Sequence, residues 1–236
     1  MNVLVVVPTY NERDNLPLLV NQVLAYPGYR VLVVDDGSPD GTGAVADGLA
    51  RDHPGRLDVM HRTGPRGLGR SYVDGLQHAL AQDGVDVICQ MDADLSHDPQ
   101  YLPAMAAATA SYDVVIGSRY LQGISVVNWP LHRIILSTFA NRYIRAVARL
   151  SPSDCTSGFR CWRRDALAQM PLGAMVSDGY AFLVEMLFEA TRHGFRIGEV
   201  PIIFVERKQG QSKLSTGVLV ESVITPWRLM FRGSKS

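Results

Sequence analysis

Val3-Leu4-Val5-Val6-Val7-Pro8-Thr9-Tyr10-Asn11-Glu12 runs through five apolar residues, four of them β-branched, and then turns abruptly polar. Apolar side chains on consecutive rather than alternate positions mark a strand covered on both faces, as in parallel sheets. The same kind of run recurs at residues 31–34, 57–60, 85–91 and 114–116. Between the runs lie helix-period segments at 16–25, 42–51, 69–82 and 99–110, the last introduced by the cap and first-turn pair Asp98-Pro99. This βαβαβαβαβ order predicts an α/β fold with a doubly wound, mostly parallel sheet and helices on both faces. Ligands of such sheets bind beyond the carboxyl ends of the strands, so the polar residues after each run are the places to look for chemistry.

Past Arg119 the pattern is irregular: a loop to Pro130, a helical stretch over 133–150, a block over 154–163, a helix near 181–192 and a strand-like 196–205. We expect one domain over 1–236, with a nucleotide-binding half to about residue 120 and a C-terminal acceptor-side extension over 121–236. The apolar tail 218–231, broken by Glu221, Pro226 and Arg228, reads as a packed or surface-lying helix interrupted at the proline.

At 236 residues and 47% hydrophobic, the chain can bury a core, which excludes the disordered class. Lys plus Arg and Asp plus Glu both number 23, and a net charge of zero argues against a general nucleic-acid binder. No uncharged apolar stretch approaches the roughly 18 residues of a membrane span. Met1-Asn2 leads straight into the first strand with no basic leader, so secretion is not expected. Cys89, Cys155 and Cys161 are odd in number and lack C-x-x-C spacing. They suggest neither a disulfide framework nor a zinc site, and a cytoplasmic, reducing compartment is expected, with Cys89 a buried core thiol.

The loop after the first run carries Pro8, Tyr10 and Glu12, and that after the second reads Asp35-Asp36-Gly37-Ser38-Pro39-Asp40-Gly41-Thr42. Turn chemistry accounts for either one alone. Together, an aromatic face and carboxylates also suit a nucleobase and ribose. Neither a G-x-G-x-x-G after the first strand nor a P-loop is present, so dinucleotide and P-loop readings lose their support. Gln90-Met91-Asp92-Ala93-Asp94-Leu95-Ser96-His97 ends a hydrophobic strand, where Asp92 and Asp94 can converge on one hard cation, Mg²⁺ or Mn²⁺. Such a cation completes its shell with substrate phosphates. The competing reading is an Asp-rich cap before Pro99. Two basic clusters, Gly117-Ser118-Arg119-Tyr120 with Arg133 further on, and Glu206 to Lys213, suit anions or are simply solvated. Wound as a helix, 133–150 puts Arg142, Arg145 and Arg149 on one face and Leu136, Phe139, Tyr143 and Val147 on another. That pattern fits either a packed helix with a solvated face or a helix lying on an anionic membrane. His97 and His132 read as polar loop residues.

With these residues quoted, the chain resembles the polyprenol-phosphate (dolichol-phosphate) mannose synthases, inverting glycosyltransferases with the GT-A, Rossmann-like fold. The resemblance rests on PTYNE (8–12), VVDDGSPDGT (33–42), RGLG (66–69), MDADLSHDP (91–99), GSRY (117–120), DCTSGFR (154–160) and GEVPIIFVERKQGQSKL (198–214). The first, second and fourth mark the wider superfamily; the last two blocks are more specific. The resemblance implies a donor pocket of Pro8, Tyr10, Glu12, Val34, Asp36, Asp92, Ala93 and Asp94. It implies Arg119, Arg207 and Lys213 near the donor phosphates, with these three and Asp94 as the catalytic set. Arg119, Arg133 and Ser137 match the acceptor-phosphate site. Asp92 and Asp94 match metal ligands; some members place a third ligand, Gln, where this chain has Ser96, whose hydroxyl reaches less far.

The activity implied is transfer of mannose from GDP-mannose to a polyprenyl monophosphate with inversion, the lipid phosphate oxygen attacking while the cation, Arg207 and Lys213 offset the charge on departing GDP. Some members append transmembrane helices; without them, a membrane surface or a membrane-protein partner brings the enzyme to its lipid, peripherally on the cytoplasmic face. A sister enzyme using UDP-glucose or another sugar nucleotide shares the nucleotide motifs. A non-catalytic nucleotide-binding module is opposed by retention of Asp92, Asp94, Arg119, Arg207 and Lys213 together. Asp154 has no role assignable from the sequence.

Overall fold

The apolar runs become strands: those at 3–9, 29–35, 87–90 and 114–118 are covered on both faces, whereas the edge strand at 57–61 buries only Leu57. In the computed structural model, residues 1–177, 179–206 and 224–231 are described. In order they form β1 (Val3–Thr9), α1 (Leu16–Leu24), β2 (Tyr29–Asp35), α2 (Thr42–Asp52), β3 (Leu57–His61), α3 (Leu68–Leu80) and β4 (Val87–Gln90). A 3-10 turn (Pro99–Tyr101) leads into α4 (Leu102–Ala108), β5 (Val114–Ser118), β6 (Val126–Val127) and α5 (Leu131–Ala148). Then follow β7 (Arg160–Arg163), α6 (Arg164–Leu167), α7 (Gly179–Arg192), β8 (Ile197–Pro201) and β9 (Phe204–Val205). Seven strands make one sheet in the order β3-β2-β1-β4-β7-β5-β8, and β6 pairs with β9.

Alternation along each strand sorts side chains between two cores. Val3, Val5 and Val7 face α1, α2 and α4, while Leu4 and Val6 face α3 and α7. Burying each such side chain contributes roughly 1.5–3 kcal/mol relative to exposure. Helix α3 can lie this close to the sheet because residue 75 is glycine: a Cβ there would stand 2.7 Å from Val6 Cγ1 and 2.8 Å from Val34 Cγ2. Val34 is therefore a core side chain, fully buried beneath α3, and only its backbone can face the expected donor pocket.

The sheet departs from five consecutive parallel strands in one respect. β7 inserts between β4 and β5 and runs antiparallel to both, while β8 joins β5 in parallel at the edge. The C-terminal part of the chain thus supplies two strands of the central sheet as well as a cover. Insertion of β7 sets Cys89 opposite Cys161 with Cα atoms 4.1 Å apart, and their sulfurs are joined. This corrects the expectation of a free thiol at Cys89 and removes the cysteine argument for a reducing compartment; the pairing depends on a strand order that cysteine spacing cannot reveal. Cys155 is free and buried, and burial pushes its thiol up to about 12.

Helix α5 buries a different stripe from either face of the helical wheel. It packs through Asn141, Ile144 and Ala148, whereas Phe139 is 67% exposed and Leu136 is exposed as well. Arg149 leaves the helix altogether, in the left-handed region at φ 53°. The helical residues 224–231 pack on α5 through Leu229, and Trp227 Nε1 donates to the Tyr143 hydroxyl at 2.7 Å. Pro226 lies within those helical residues rather than breaking them; residues 218–223 fall outside the described residues.

Candidate active site

The polar loops after β1, β2, β4 and β5 gather at one end of the sheet. At the first two, Thr9 and Asp35 are register partners, and Asp35 accepts from the Thr9 hydroxyl (3.1 Å) and the Ser38 hydroxyl (2.6 Å). Asp35 thereby shapes the loop. Asp36, also buried, accepts from Arg62 and from the Gly67 backbone N–H (2.9 Å). Arg62 is clamped from its other side by Asp74 at 2.7 Å. Pro8 is buried at the end of β1; Tyr10 is half-buried, its hydroxyl accepting from Arg66, whose guanidinium stands 4.9 Å from the ring centroid. Glu12 accepts from the Asn15 amide at 2.8 Å and its N–H donates to Thr42 Oγ1 at 3.0 Å. A flat aromatic with carboxylates set behind it suits a nucleoside. Sequence reading left Arg62 and Arg66 without roles; Arg66 had the RGLG block as its only signal, and Arg62, four residues before it, had none.

The Asp92–Asp94 segment is held at each carboxylate. Tyr72, fully buried on α3, donates its hydroxyl to Asp92 Oδ1 at 3.0 Å. Burial first, and the Asp92 charge second, push the Tyr72 phenol well up, so it remains a donor. His97 Nδ1 accepts the Asp92 backbone N–H at 3.2 Å, which fixes its proton on Nε2 when neutral. His97 lies in the loop after β4, and its ring is buried there. Leu95 adopts φ 63°, rare for a branched side chain, and this turn brings Ser96 back so that its hydroxyl (2.6 Å) and N–H (3.1 Å) both donate to Asp94 Oδ1. Ser96 is 3% exposed and points its hydrogen at Asp94, so it orients a carboxylate. Ala93 is a buried core residue. Two hard carboxylates after a strand form a donor set that fits Mg²⁺ or Mn²⁺ completed by phosphate oxygens. Among the described residues no group of three or more His, Cys, Asp or Glu converges on one point.

Arg119 follows β5 and meets Asp154 from the loop before β7. Nε and Nη2 donate to Oδ2 and Oδ1, both at 2.7 Å, and Nη2 also reaches Thr156 Oγ1 at 2.8 Å. Burial alone would raise the Asp154 carboxyl, but the Arg119 guanidinium overrides it and holds the group below the usual carboxylate range. Arg133, on the first turn of α5, stands 4.1 Å from the Trp129 ring centroid and pairs with Glu206. The Ser137 and Tyr120 hydroxyls share a hydrogen bond of 2.8 Å. Arg207 and Lys213 lie outside the described residues.

A file of rings joins the carboxylate segment to the two arginines. Phe159 stacks on His97 (centroids 5.1 Å apart), Phe204 meets His97 edge-on at 5.7 Å, and Trp129 meets Phe204 at 5.5 Å. Trp129 in turn faces Arg119 at 5.7 Å and Arg133 at 4.1 Å. Sequence reading missed Trp129, Phe204 and Tyr72, because nothing in a lone aromatic's local sequence separates a site wall from core.

A match to glycosyl transferase family 2 covers residues 4–170. A polyprenol monophosphomannose synthase from Mycolicibacterium smegmatis is 46% identical over 233 residues, 97% of this chain and 88% of that protein. An undecaprenyl-phosphate mannosyltransferase from Micrococcus luteus is 46% identical over 235 residues, 98% of this chain and 96% of that protein. Among solved structures, a glucosyl-3-phosphoglycerate synthase from Mycobacterium tuberculosis, in complex with Mn²⁺, UDP and phosphoglyceric acid, has a TM-score of 0.69 at 18% identity, covering 96% of this chain and 77% of that one. A mannosyltransferase from Pyrobaculum calidifontis in complex with GDP-Man and Mn²⁺ gives 0.62 at 19% identity, over 98% and 64%. At such identities the structures share the fold. The family match over most of the chain, the two long relatives and the polar loops gathered at the strand ends agree: this chain is a glycosyltransferase belonging to glycosyl transferase family 2, with a GT-A fold.

Proposed function

We propose that this chain transfers mannose from GDP-mannose to a polyprenyl monophosphate, with inversion at the anomeric carbon and dependence on Mg²⁺ or Mn²⁺. The observation that carries this reading is the near end-to-end 46% identity to two proteins named for mannose transfer to polyprenyl lipids. A mannosyltransferase of the same fold in complex with GDP-Man and Mn²⁺ supports the donor and the metal. Tyr10, Glu12 and Asp36 bind the nucleoside, with the backbone of Pro8 and Val34 against it. Asp92 and Asp94, oriented by Tyr72 and Ser96, are the residues that would hold the cation, which when bound offsets charge on the leaving diphosphate. Arg207 and Lys213 add to that compensation. Arg119, which the resemblance also places near the donor phosphates, acts with Arg133 and Ser137 on the acceptor phosphate. That phosphate is already anionic near neutral pH, so its oxygen attacks without a strong general base, and the work left to the protein is orientation from the face opposite the leaving group.

The acceptor is a lipid, and no helix among the described residues is long and apolar enough to cross a membrane. Leu131 (71% exposed), Ile135 and Phe139 on α5 offer exposed apolar side chains, as does Phe231 on the helix packed against it, with Arg142 and Arg145 also exposed on α5. This supports peripheral attachment to a membrane surface. The test is to supply labelled GDP-mannose or labelled UDP-glucose with a polyprenyl phosphate, with and without divalent cation. Mannose label entering the lipid phase only with cation is expected. Glucose label alone would move the chain to a sister enzyme, and no label in lipid would overturn the reading.

A further inference from the structure

We propose that Asp154 is the positioning residue for Arg119, and that Glu199 anchors Asp154 in turn; the inference rests on the acceptor reading above and assigns roles to two acids which that reading leaves idle. An arginine side chain leaving a strand end has many rotamers, so binding a phosphate in one attack geometry requires something to remove that freedom. Asp154 does so at three atoms. Its Oδ2 accepts both the Arg119 backbone N–H (3.1 Å) and Nε (2.7 Å), and its Oδ1 accepts Nη2 (2.7 Å). Backbone and guanidinium are thereby fixed to one carboxylate, which is itself fully buried. Three aromatic faces close around the guanidinium carbon: Tyr120 and Phe204 at 5.4 Å and Trp129 at 5.7 Å.

The carboxylate is held from behind. Glu199 on β8 accepts from the Ser153 N–H (2.9 Å), the Ser153 hydroxyl (2.6 Å) and the Asp154 N–H (3.2 Å). Ser153 also shares a hydrogen bond of 2.9 Å with Ser118, the residue before Arg119. β5 and β8 are paired strands, so the bonds Glu199 to Ser153 and Asp154, and Asp154 to Arg119, return to the same sheet edge they left. A buried ion pair is a weak source of net stability, because desolvation offsets its attraction. What this arrangement supplies is a fixed direction for one cation.

Charge and geometry make opposite forecasts for Asp154→Asn, which keeps the shape and deletes a negative charge. If only electrostatics mattered, the phosphate would bind tighter. If Asp154 positions Arg119, one arm of the bidentate pair becomes a donor facing a donor, and acceptor use falls. The experiment measures initial rates against polyprenyl phosphate, and GDP-mannose affinity by calorimetry with Mn²⁺, for wild type, Asp154→Asn, Arg119→Ala and the double variant. We expect Asp154→Asn to lose about 100-fold in acceptor kcat/KM. Donor affinity should stay within about twofold, and the double variant should be no worse than Arg119→Ala. Tighter acceptor binding, an additive loss in the double variant, or an equal loss of donor affinity would overturn the proposal. Glu199→Gln, one bond further out, should show a smaller loss in the same acceptor-only direction, which keeps the test open if Asp154→Asn does not fold; no acceptor effect there would equally count against it. A wild-type protein that labels no lipid would instead refute the acceptor reading beneath it.

Discussion

Arg119 and Arg133 are given the same task on the acceptor phosphate but are held in opposite ways. Arg119 meets a carboxylate of no exposure through two bonds of 2.7 Å, beneath three rings. Arg133 pairs with Glu206, whose side chain keeps 24% of its surface, and has the face of Trp129 as its other contact. Desolvation makes the difference. Ions taken wholly out of water cannot part without a large penalty, whereas a partly wet pair exchanges partners at little expense. One arginine is thus a fixed element of the site and the other an exchangeable one, and the contrast can be tested at both ends.

The largest effect is expected at the fixed end. Arg119→Ala strands Asp154 as a buried, uncompensated carboxylate, and unfolding in urea should show a loss of about 3–5 kcal/mol along with acceptor use. Arg133→Ala comes next and should differ in kind. Its acceptor kcat/KM should fall by about 1.5–3 kcal/mol, the worth of a charge-assisted hydrogen bond. Its unfolding free energy should move by no more than roughly 1 kcal/mol, the upper range for a solvated pair, and its GDP-mannose affinity should hold. Equal destabilisation by the two substitutions would erase the distinction between fixed and exchangeable.

How much of this contrast was legible beforehand follows from which links are local. The strands through Val3, Val31 and Val114 could be read because burial on both faces writes itself into consecutive apolar residues. Asp92, Asp94 and Arg119 could be singled out because each follows such a run. The partner of Arg119 could not, since Asp154 is 35 residues away and arrives only because β7 inserts beside β5. The same insertion pairs Cys89 with Cys161. On α5 the residue types were legible, but the packed stripe of Asn141, Ile144 and Ala148 was not, because a helix wheel shows which residues share a face and not which face has a neighbour.

Acid provides a smaller test. The folded Asp154 carboxyl sits below its ordinary value of about 3.9. Its contribution is therefore fully present above that ordinary value and is lost as pH falls through the lower folded one. The stability difference between wild type and Asp154→Asn should stay flat from neutrality down to about pH 5 and shrink only in stronger acid. A difference that collapsed near neutral pH would mean that Asp154 is not held ionised by Arg119.

The smallest expected effect lies at the exchangeable end and runs against the usual direction of mutation. If the acceptor phosphate displaces Glu206 from Arg133, the carboxylate is a competitor, and each binding event must first break that pair. Glu206→Gln removes the competing charge while keeping a side chain able to accept one hydrogen bond. Acceptor KM should then fall by a few-fold, consistent with the roughly 0–1 kcal/mol that a partly exposed pair is worth. Donor affinity and unfolding should stay as they are. The asymmetry with Asp154→Asn is the sharpest form of the comparison: two acid-to-amide changes, each beside an arginine on the same phosphate, with opposite signs in acceptor use. Raised ionic strength, which screens the partly solvated pair more than the buried one, should reduce the gain at Glu206 and leave the loss at Asp154 in place. A rise in acceptor KM for Glu206→Gln would show that Glu206 orients Arg133 as Asp154 orients Arg119, and the two arginines would then be held alike.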